Sequence, residues 1–97
     1  MVRLNVSSIL YIESFKHDLF IHTKEETHQI RATLKSFETK LKDDHFYRSN
    51  NCYLVNLRWV SGVEGECAII ENQQLKISRP RKKGFMEALT TYIGEVV

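Results

Sequence analysis

Short apolar runs separated by polar turns recur through most of this chain and restrict the folds that it can adopt. Runs of a few residues that are rich in β-branched and aromatic side chains predict strands rather than helices. Short polar turns between such runs predict neighbouring antiparallel strands. The predicted strands lie at residues 9–12, 19–23, 27–31, 58–63, 67–70 and 75–77. The sequence therefore predicts a mostly β fold, assembled from small antiparallel sheets.

Alternation within these runs predicts which side chains share a face. In the second run, Leu19 and Ile21 lie on one face of the strand. Phe20 and His22 lie on the other face. Gly62 interrupts the run at 58–63 and predicts a bulge there.

Two segments carry apolar residues at helical spacing instead. The first predicts one short internal helix, for which Thr33 is a suitable N-cap. Its apolar stripe consists of Leu34, Phe37 and Leu41. The second predicts an amphipathic helix at the C-terminus. Its apolar residues are Phe85, Met86, Leu89, Tyr92 and Ile93.

The start of the C-terminal helix has two interpretations. If the helix begins near Pro80, the cations around it crowd the positive N-terminal end of the helix, which is the unfavourable end for them. That placement suits an anion, most simply a phosphate, bound at the same end. If the helix begins near Gly84, the basic run is a loop. The sequence alone favours neither interpretation.

The stretch 46–56 carries the clearest indication of function. Large apolar residues at both of its ends are expected to be buried, and five polar residues lie between them. Apolar anchors of this kind hold a short recognition loop in place. Arginine and asparagine also carry the donors and acceptors that match the edges of guanine and adenine. The same residues are equally typical of an ordinary turn. The polar residues are Arg48, Ser49, Asn50, Asn51 and Cys52.

Composition indicates one globular domain of 97 residues that needs no metal or cofactor. Hydrophobic residues make up 42% and charged residues 27%, as in ordinary globular proteins. No apolar run approaches the roughly 20 residues that cross a bilayer, and residues 1–8 lack the apolar core and cleavage site of a signal peptide. The two cysteines have neither CxxC nor metal-ligand spacing, which predicts reduced thiols in the cytoplasm. Because Met1 and Val2 almost directly precede a predicted strand, we expect a domain excised from a longer protein.

Charge distribution is more informative than the net charge of +2. No acidic residue lies between Asp44 and Glu64, or between Glu71 and Glu87. These two acid-free segments predict a single positive face on a nearly neutral protein. Their cations are Arg48, Arg58, Lys76, Arg79, Arg81, Lys82 and Lys83.

Taken together, these segments resemble a LytTR-type DNA-binding domain, the output domain of bacterial response regulators. The resemblance covers nearly the whole chain, 1–97, as a single domain. It depends on the run at 9–14, the helix at 34–41, the stretch 46–57 and the residues at 77–83. It implies an elongated β assembly whose loops enter the major groove of double-stranded DNA to regulate transcription.

The resemblance also implies roles for particular residues and partners. The implied base-contacting residues are His17, Asn51 and Arg79. The implied phosphate contacts are Arg48, Asn50, Arg81, Lys82 and Lys83. An upstream receiver domain is implied, as is a dimer on repeated half-sites. We predict neither a catalytic residue nor a membrane contact.

Two departures from the family pattern occur in the central stretch. Asn50 replaces a usual histidine and Cys52 replaces a usual serine. We interpret Cys52 as a small buried side chain, because a redox role would need a lowered thiol pKa. Arg48 has an alternative partner in Asp43 or Asp44. The alternative function is a LytTR-like module that regulates a protein partner without binding DNA.

Overall fold

The computed structural model describes residues 4–96, which form eight strands and two α-helices. The strands are β1 (Ile9–Phe15), β2 (Asp18–Thr23), β3 (Thr27–Arg31), β4 (Phe46–Asn50), β5 (Tyr53–Asn56), β6 (Val60–Glu64), β7 (Cys67–Ile70) and β8 (Gln73–Lys76). The helices are α1 (Leu34–Lys40) and α2 (Arg79–Val96). Met1 and Val2, from which we expected a longer parent protein, lie outside the described residues.

The strands form two antiparallel sheets, which confirms the predicted fold class. The larger sheet has the order β3-β2-β1-β5-β4, and the smaller has the order β6-β7-β8. Neighbouring strands β1, β2 and β3 form the predicted meander. The longest dimension of the molecule is 36 Å, against 27 and 26 Å for the other two.

Strand β1 is buried on both faces and separates two apolar cores. Ile12 packs with Leu19, Ile21 and the apolar side of α1 in one core. Tyr11 packs with the small sheet and α2 in the other core. A strand that is covered on both faces needs a continuous apolar run, which is the pattern at residues 9–12.

Two predicted strands differ in their bounds from the structure. The strand predicted at 58–63 begins only at Val60, because the side chain of Asn56 accepts a hydrogen bond from Arg58 N (3.1 Å) and closes a 3₁₀ turn. The predicted bulge is confirmed by a register shift between Val60 and Gly62. Ile77 lies beyond the last strand, where its backbone N–H donates to Glu66 O (2.7 Å).

Helix α1 begins where the local chemistry favours a start. Thr33 Oγ1 accepts a hydrogen bond from Ser36 N (3.2 Å), as expected of an N-cap. Helix α2 begins at Arg79, so the basic run forms its first turn and the loop interpretation is wrong. Ile93, predicted to lie on the apolar face, is half exposed. Within residues 4–96, no helix is long and apolar enough to cross a membrane.

Candidate nucleic-acid interface

The central stretch is a β-hairpin whose turn consists of Asn51 and Cys52. The predicted polar loop is therefore shorter than expected, and Ser49 is fully buried inside β4. The side chain of Asn50 closes the turn, because its Oδ1 accepts hydrogen bonds from Cys52 N (2.7 Å) and Tyr53 N (3.1 Å). Asn51 is left exposed at the tip.

Two hydrogen bonds join this hairpin to the chain that leads into α2. Asn50 Nδ2 donates to Lys76 O (2.8 Å), and Ser78 N donates to Ser49 O (2.7 Å). The two acid-free segments are therefore adjacent in space, as a single positive face requires. One main-chain hydrogen bond and the short side-chain amide of Asn50 thus hold the exposed turn at Asn51 beside the first turn of α2.

The first turn of α2 presents cations without a neutralising carboxylate. Arg79 and Lys83 are exposed, and neither has an ion-pair partner within 4 Å among residues 4–96. Lys82 Nζ donates to Gly65 O (2.6 Å), which holds that side chain against the small sheet. Arg81 is partly buried. Positive charge at a helix N-terminus is unfavourable, so the turn is suited to a bound anion.

A pocket of about 500 Å³ lies on the other side of the central turn. We call it the basic pocket, because its lining includes four cationic side chains and a histidine but no carboxylate. The hydrogen bond from Ser14 N to Cys52 O (2.8 Å) brings the β1–β2 turn beside the central turn. His17 and Asn51 thereby line one concave surface. The polar lining residues are Ser14, Lys16, His17, Arg31, Thr33, Lys35, Arg48 and Asn51.

Arg48 is held by a carboxylate other than the two predicted partners. Its Nε lies 3.2 Å from Glu38 Oε1, and only 15% of the side chain is exposed. The expected pairing with Asp43 or Asp44 is wrong, because both belong to the 3₁₀ turn that follows α1, whereas Glu38 lies on α1 itself. A phosphate contact of Arg48 stays a prediction.

Cys52 is exposed, which corrects its interpretation as a buried side chain. The turn that Asn50 closes leaves the thiol outside the core.

Trp59 is partly buried against the core that contains Tyr11, and its indole Nε1 donates to Ser7 O (2.8 Å).

Burial raises the hydroxyl pKa values of two tyrosines, Tyr11 and Tyr53. Burial raises the pKa of the Tyr11 hydroxyl above its ordinary value of 10.0, and the Glu13 carboxylate raises it further. The pKa of Tyr53 is raised by the same two causes in the same order. The two rings pack edge to face with centroids 5.8 Å apart.

Sequence reasoning missed three cations that the N-terminal meander and α1 supply to the basic pocket. Along the chain, Arg31 is close to Glu25 and Glu26, so no acid-free window identifies it. In the folded hairpin, Arg31 pairs with Asp18 at one end, whereas the two glutamates lie near the opposite end. Strand pairing therefore separates Arg31 from these two glutamates, although it places Asp18 opposite Arg31. The missed residues are Lys16, Arg31 and Lys35.

Comparisons with known proteins agree with the fold described above. The family described as the LytTr DNA-binding domain matches residues 1–90. A solved structure described as the LytTr DNA-binding domain of a Bacillus cereus response regulator superposes with a TM-score of 0.83. It has 19% identity, and the alignment covers 91% of this chain and 86% of that one.

A curated relative gives the same indication from sequence. The transcriptional regulatory protein YpdB of Escherichia coli is 27% identical over 59 residues, which are 61% of this chain and 24% of that protein. This chain thus spans only about a quarter of the relative. Because the family match extends over nearly all of the sequence, the chain belongs to the LytTr DNA-binding domain family.

Proposed function

We propose that this domain binds a specific double-stranded DNA sequence through the major groove and thereby regulates transcription. The observation that supports it best is the pair of hydrogen bonds that join the central hairpin to the start of α2. They hold the exposed amide of Asn51 in the same region as the exposed guanidinium of Arg79. These are the side chains that pair with adenine and guanine edges.

The proposed base contacts come from three turns. Asn51 lies in the central turn, His17 in the β1–β2 turn, and Arg79 at the start of α2. All three side chains are exposed, so base edges can reach them without a change in the fold. We assign sequence discrimination to these side chains and affinity to the cations around them.

The proposed phosphate contacts surround those base contacts. Lys83 is exposed and projects freely, whereas Asn50 retains only one Nδ2 proton after donating the other to Lys76 O. Each charged contact would release counterions and make binding salt-dependent. The assigned residues are Arg48, Asn50, Arg81, Lys82 and Lys83.

We also propose that the domain is the output part of a response regulator with an upstream receiver domain. The Bacillus cereus neighbour is described as part of a response regulator, and this chain covers 24% of the Escherichia coli relative. Both facts are consistent with a longer parent protein. A dimer on repeated half-sites would place two copies along one side of the duplex.

Selection from a pool of random duplexes at two salt concentrations tests the proposal. We expect a consensus with half-sites about one helical turn apart. Enrichment should persist at the higher salt concentration, because base contacts are less salt-sensitive than phosphate contacts. Binding that is indifferent to sequence at both concentrations would favour a module that regulates a protein partner instead.

Arg79→Ala and Lys83→Ala form a matched pair for assigning the contacts. We expect Arg79→Ala to weaken binding to the selected sequence by about 1–3 kcal/mol and to relax the preference at one base pair. Lys83→Ala should weaken all duplexes equally and flatten the salt dependence. Gel-shift titrations on the selected and scrambled duplexes measure both effects. Unchanged specific affinity in Arg79→Ala would contradict the assignment of that residue.

A further inference from the structure

We propose that the basic pocket is an additional phosphate site, in which Arg31 and Lys35 bind a backbone phosphate of the DNA contacted by His17 and Asn51. The inference rests on the proposed function and adds two contacts to it. Neither residue lies in the segments that the charge pattern of the sequence identified. Both are exposed and line the pocket together with His17 and Asn51.

The pocket has an excess of positive charge. Among residues 4–96, the cations Lys16, Arg31 and Lys35 have no carboxylate within 4 Å. The acid nearest to Arg31 in the strand register is Asp18, and its Oδ2 accepts a hydrogen bond from Gln29 Nε2 (2.9 Å). Like charges on one concave surface repel unless an anion lies between them.

Arg48 provides a second, independent indication of an anion. Its side chain is mostly buried, and its only carboxylate partner among residues 4–96 is Glu38. Despite that proximity, the buried Nε of Arg48 makes no aligned hydrogen bond. A guanidinium has five N–H donors, so the contact with Glu38 leaves donors available to an anion in the pocket that it lines.

The lining favours a backbone phosphate over a small organic ligand. Pockets for organic ligands are lined mostly by apolar and aromatic side chains. Most residues that line the basic pocket instead carry a cationic group, an imidazole, a hydroxyl or an amide. His17 and Asn51 also line this pocket. A DNA strand whose bases they contact would therefore have its phosphates close to the cations of the pocket.

A chemical double-mutant cycle tests the assignment. Single methylphosphonate linkages, which carry no charge, are placed at successive positions of the selected duplex. One linkage beside the bases assigned to His17 and Asn51 should weaken wild-type binding by about tenfold. In Arg31→Gln and Lys35→Gln, the same linkage should cause a smaller loss than in the wild type, because one of the two cations at that phosphate is already absent; in the double variant it should cause almost none. Lys42→Gln is the matched control, since Lys42 is exposed but lies outside the pocket lining.

The outcomes separate this inference from the proposed function. If the wild type binds the duplex specifically but every linkage affects wild type and both variants equally, the pocket site is wrong and the proposed function stands. If the wild type binds no duplex specifically, the proposed function fails and the inference fails with it. If Lys35→Arg binds as tightly as the wild type while Lys35→Gln does not, the site requires a positive charge at residue 35.

A titration with inorganic phosphate distinguishes the source of the phosphate group. We expect only weak amide shifts around Arg31 and Lys35, because free phosphate lacks the neighbouring base contacts. Tight binding of inorganic phosphate that competes with no duplex would overturn the assignment to DNA and indicate a free anion as the ligand.

Discussion

Asn50 contributes to the interface through three side-chain hydrogen bonds. Its amide oxygen accepts from two backbone N–H groups of the central turn, and its amide nitrogen donates to Lys76 O. The histidine that is usual at this position in the family has no carbonyl oxygen to accept the two turn donors. The departure at residue 50 therefore has a structural role in this chain, whichever contacts it also makes with DNA.

We expect Asn50→Ala to lower the free energy of unfolding by about 1–3 kcal/mol, because three hydrogen bonds of about 0.5–1.5 kcal/mol each are lost. Asn50→Asp keeps the acceptor but loses the donor to Lys76 O, so its loss should be smaller at neutral pH. Urea denaturation followed by circular dichroism measures both. The control is Asn72→Ala, since Asn72 is exposed in the β7–β8 turn. Equal stability of the Asn50→Ala and Asn72→Ala variants would contradict this role.

Tyr11 and Tyr53 predict a loss of stability at alkaline pH. Their pKa values are raised in the folded protein, so the folded state binds the phenolic protons more tightly than the unfolded state. Their contribution is fully present below the unfolded pKa of 10.0 and is lost as pH rises through the higher folded values. Urea denaturation at a series of pH values from neutral into the alkaline range measures the loss.

Tyr11→Phe isolates the contribution of one hydroxyl to this pH dependence. Because phenylalanine has no proton to lose, the variant should retain more of its neutral-pH stability in alkali than the wild type does. A wild type and a Tyr11→Phe variant with identical alkaline slopes would show that other groups cause the loss.

At the scale of elements, Gly84 determines how closely α2 approaches β4. A Cβ at this position would overlap the hydroxyl oxygen of Tyr47 and lie 3.2 Å from its Cζ. Tyr47 in turn packs edge to face on Phe85, with ring centroids 6.0 Å apart. The absence of a side chain at one helical position thus allows the basic first turn to lie beside the central hairpin.

We expect Gly84→Ala to destabilise the domain by about 1–3 kcal/mol through overpacking, although alanine is the better helix former. Tyr47→Phe removes the overlapping oxygen and should recover part of that loss in the double variant. Gly94→Ala is the control, because nothing lies within 4 Å of its added Cβ. Thermal denaturation compares the three variants. If Gly84→Ala were as stable as Gly94→Ala, the close approach would have no energetic consequence.

Elements were predictable from the sequence where local pattern and tertiary burial agree. Strand β3 and the Thr33 cap of α1 were predicted at the residues where the structure has them. The turn at 57–59 was not, because Asn56 caps it through a side chain that the pattern of apolar residues does not reveal. Arg31 was missed for another reason, since only strand pairing separates it from Glu25 and Glu26. Lys35 was missed because it lies outside both acid-free segments and reaches the pocket from α1.

At the scale of the whole molecule, charge placement matters more than net charge. The net charge of +2 gives little long-range attraction to DNA. Nevertheless, Arg31 lines the basic pocket, which has no carboxylate in its lining, whereas Glu25 and Glu26 lie near the opposite end of the β2–β3 hairpin. Such a dipolar arrangement orients the domain as it approaches a polyanion, so that the cationic side faces the duplex.

The slope of log K against log salt therefore reports the number of charged phosphate contacts. Four charged phosphate contacts on one half-site predict a slope of about −3.6 for log K against log salt, and six predict about −5.4. The first four are Arg48, Arg81, Lys82 and Lys83; the other two are Arg31 and Lys35. Fluorescence anisotropy on a single half-site duplex measures the slope. A slope near zero would mean that phosphates contribute little to affinity.

The hydrogen bonds from Asn50 to Lys76 and from Ser78 to Ser49 have a consequence for the DNA itself. Because the two contact elements are fixed at one spacing, any mismatch with the helical repeat has to be taken up by bending or untwisting of the duplex. The energy of that deformation depends on base steps that no side chain touches. We therefore expect flexible pyrimidine–purine steps between the contacted positions to be preferred over stiff A-tracts.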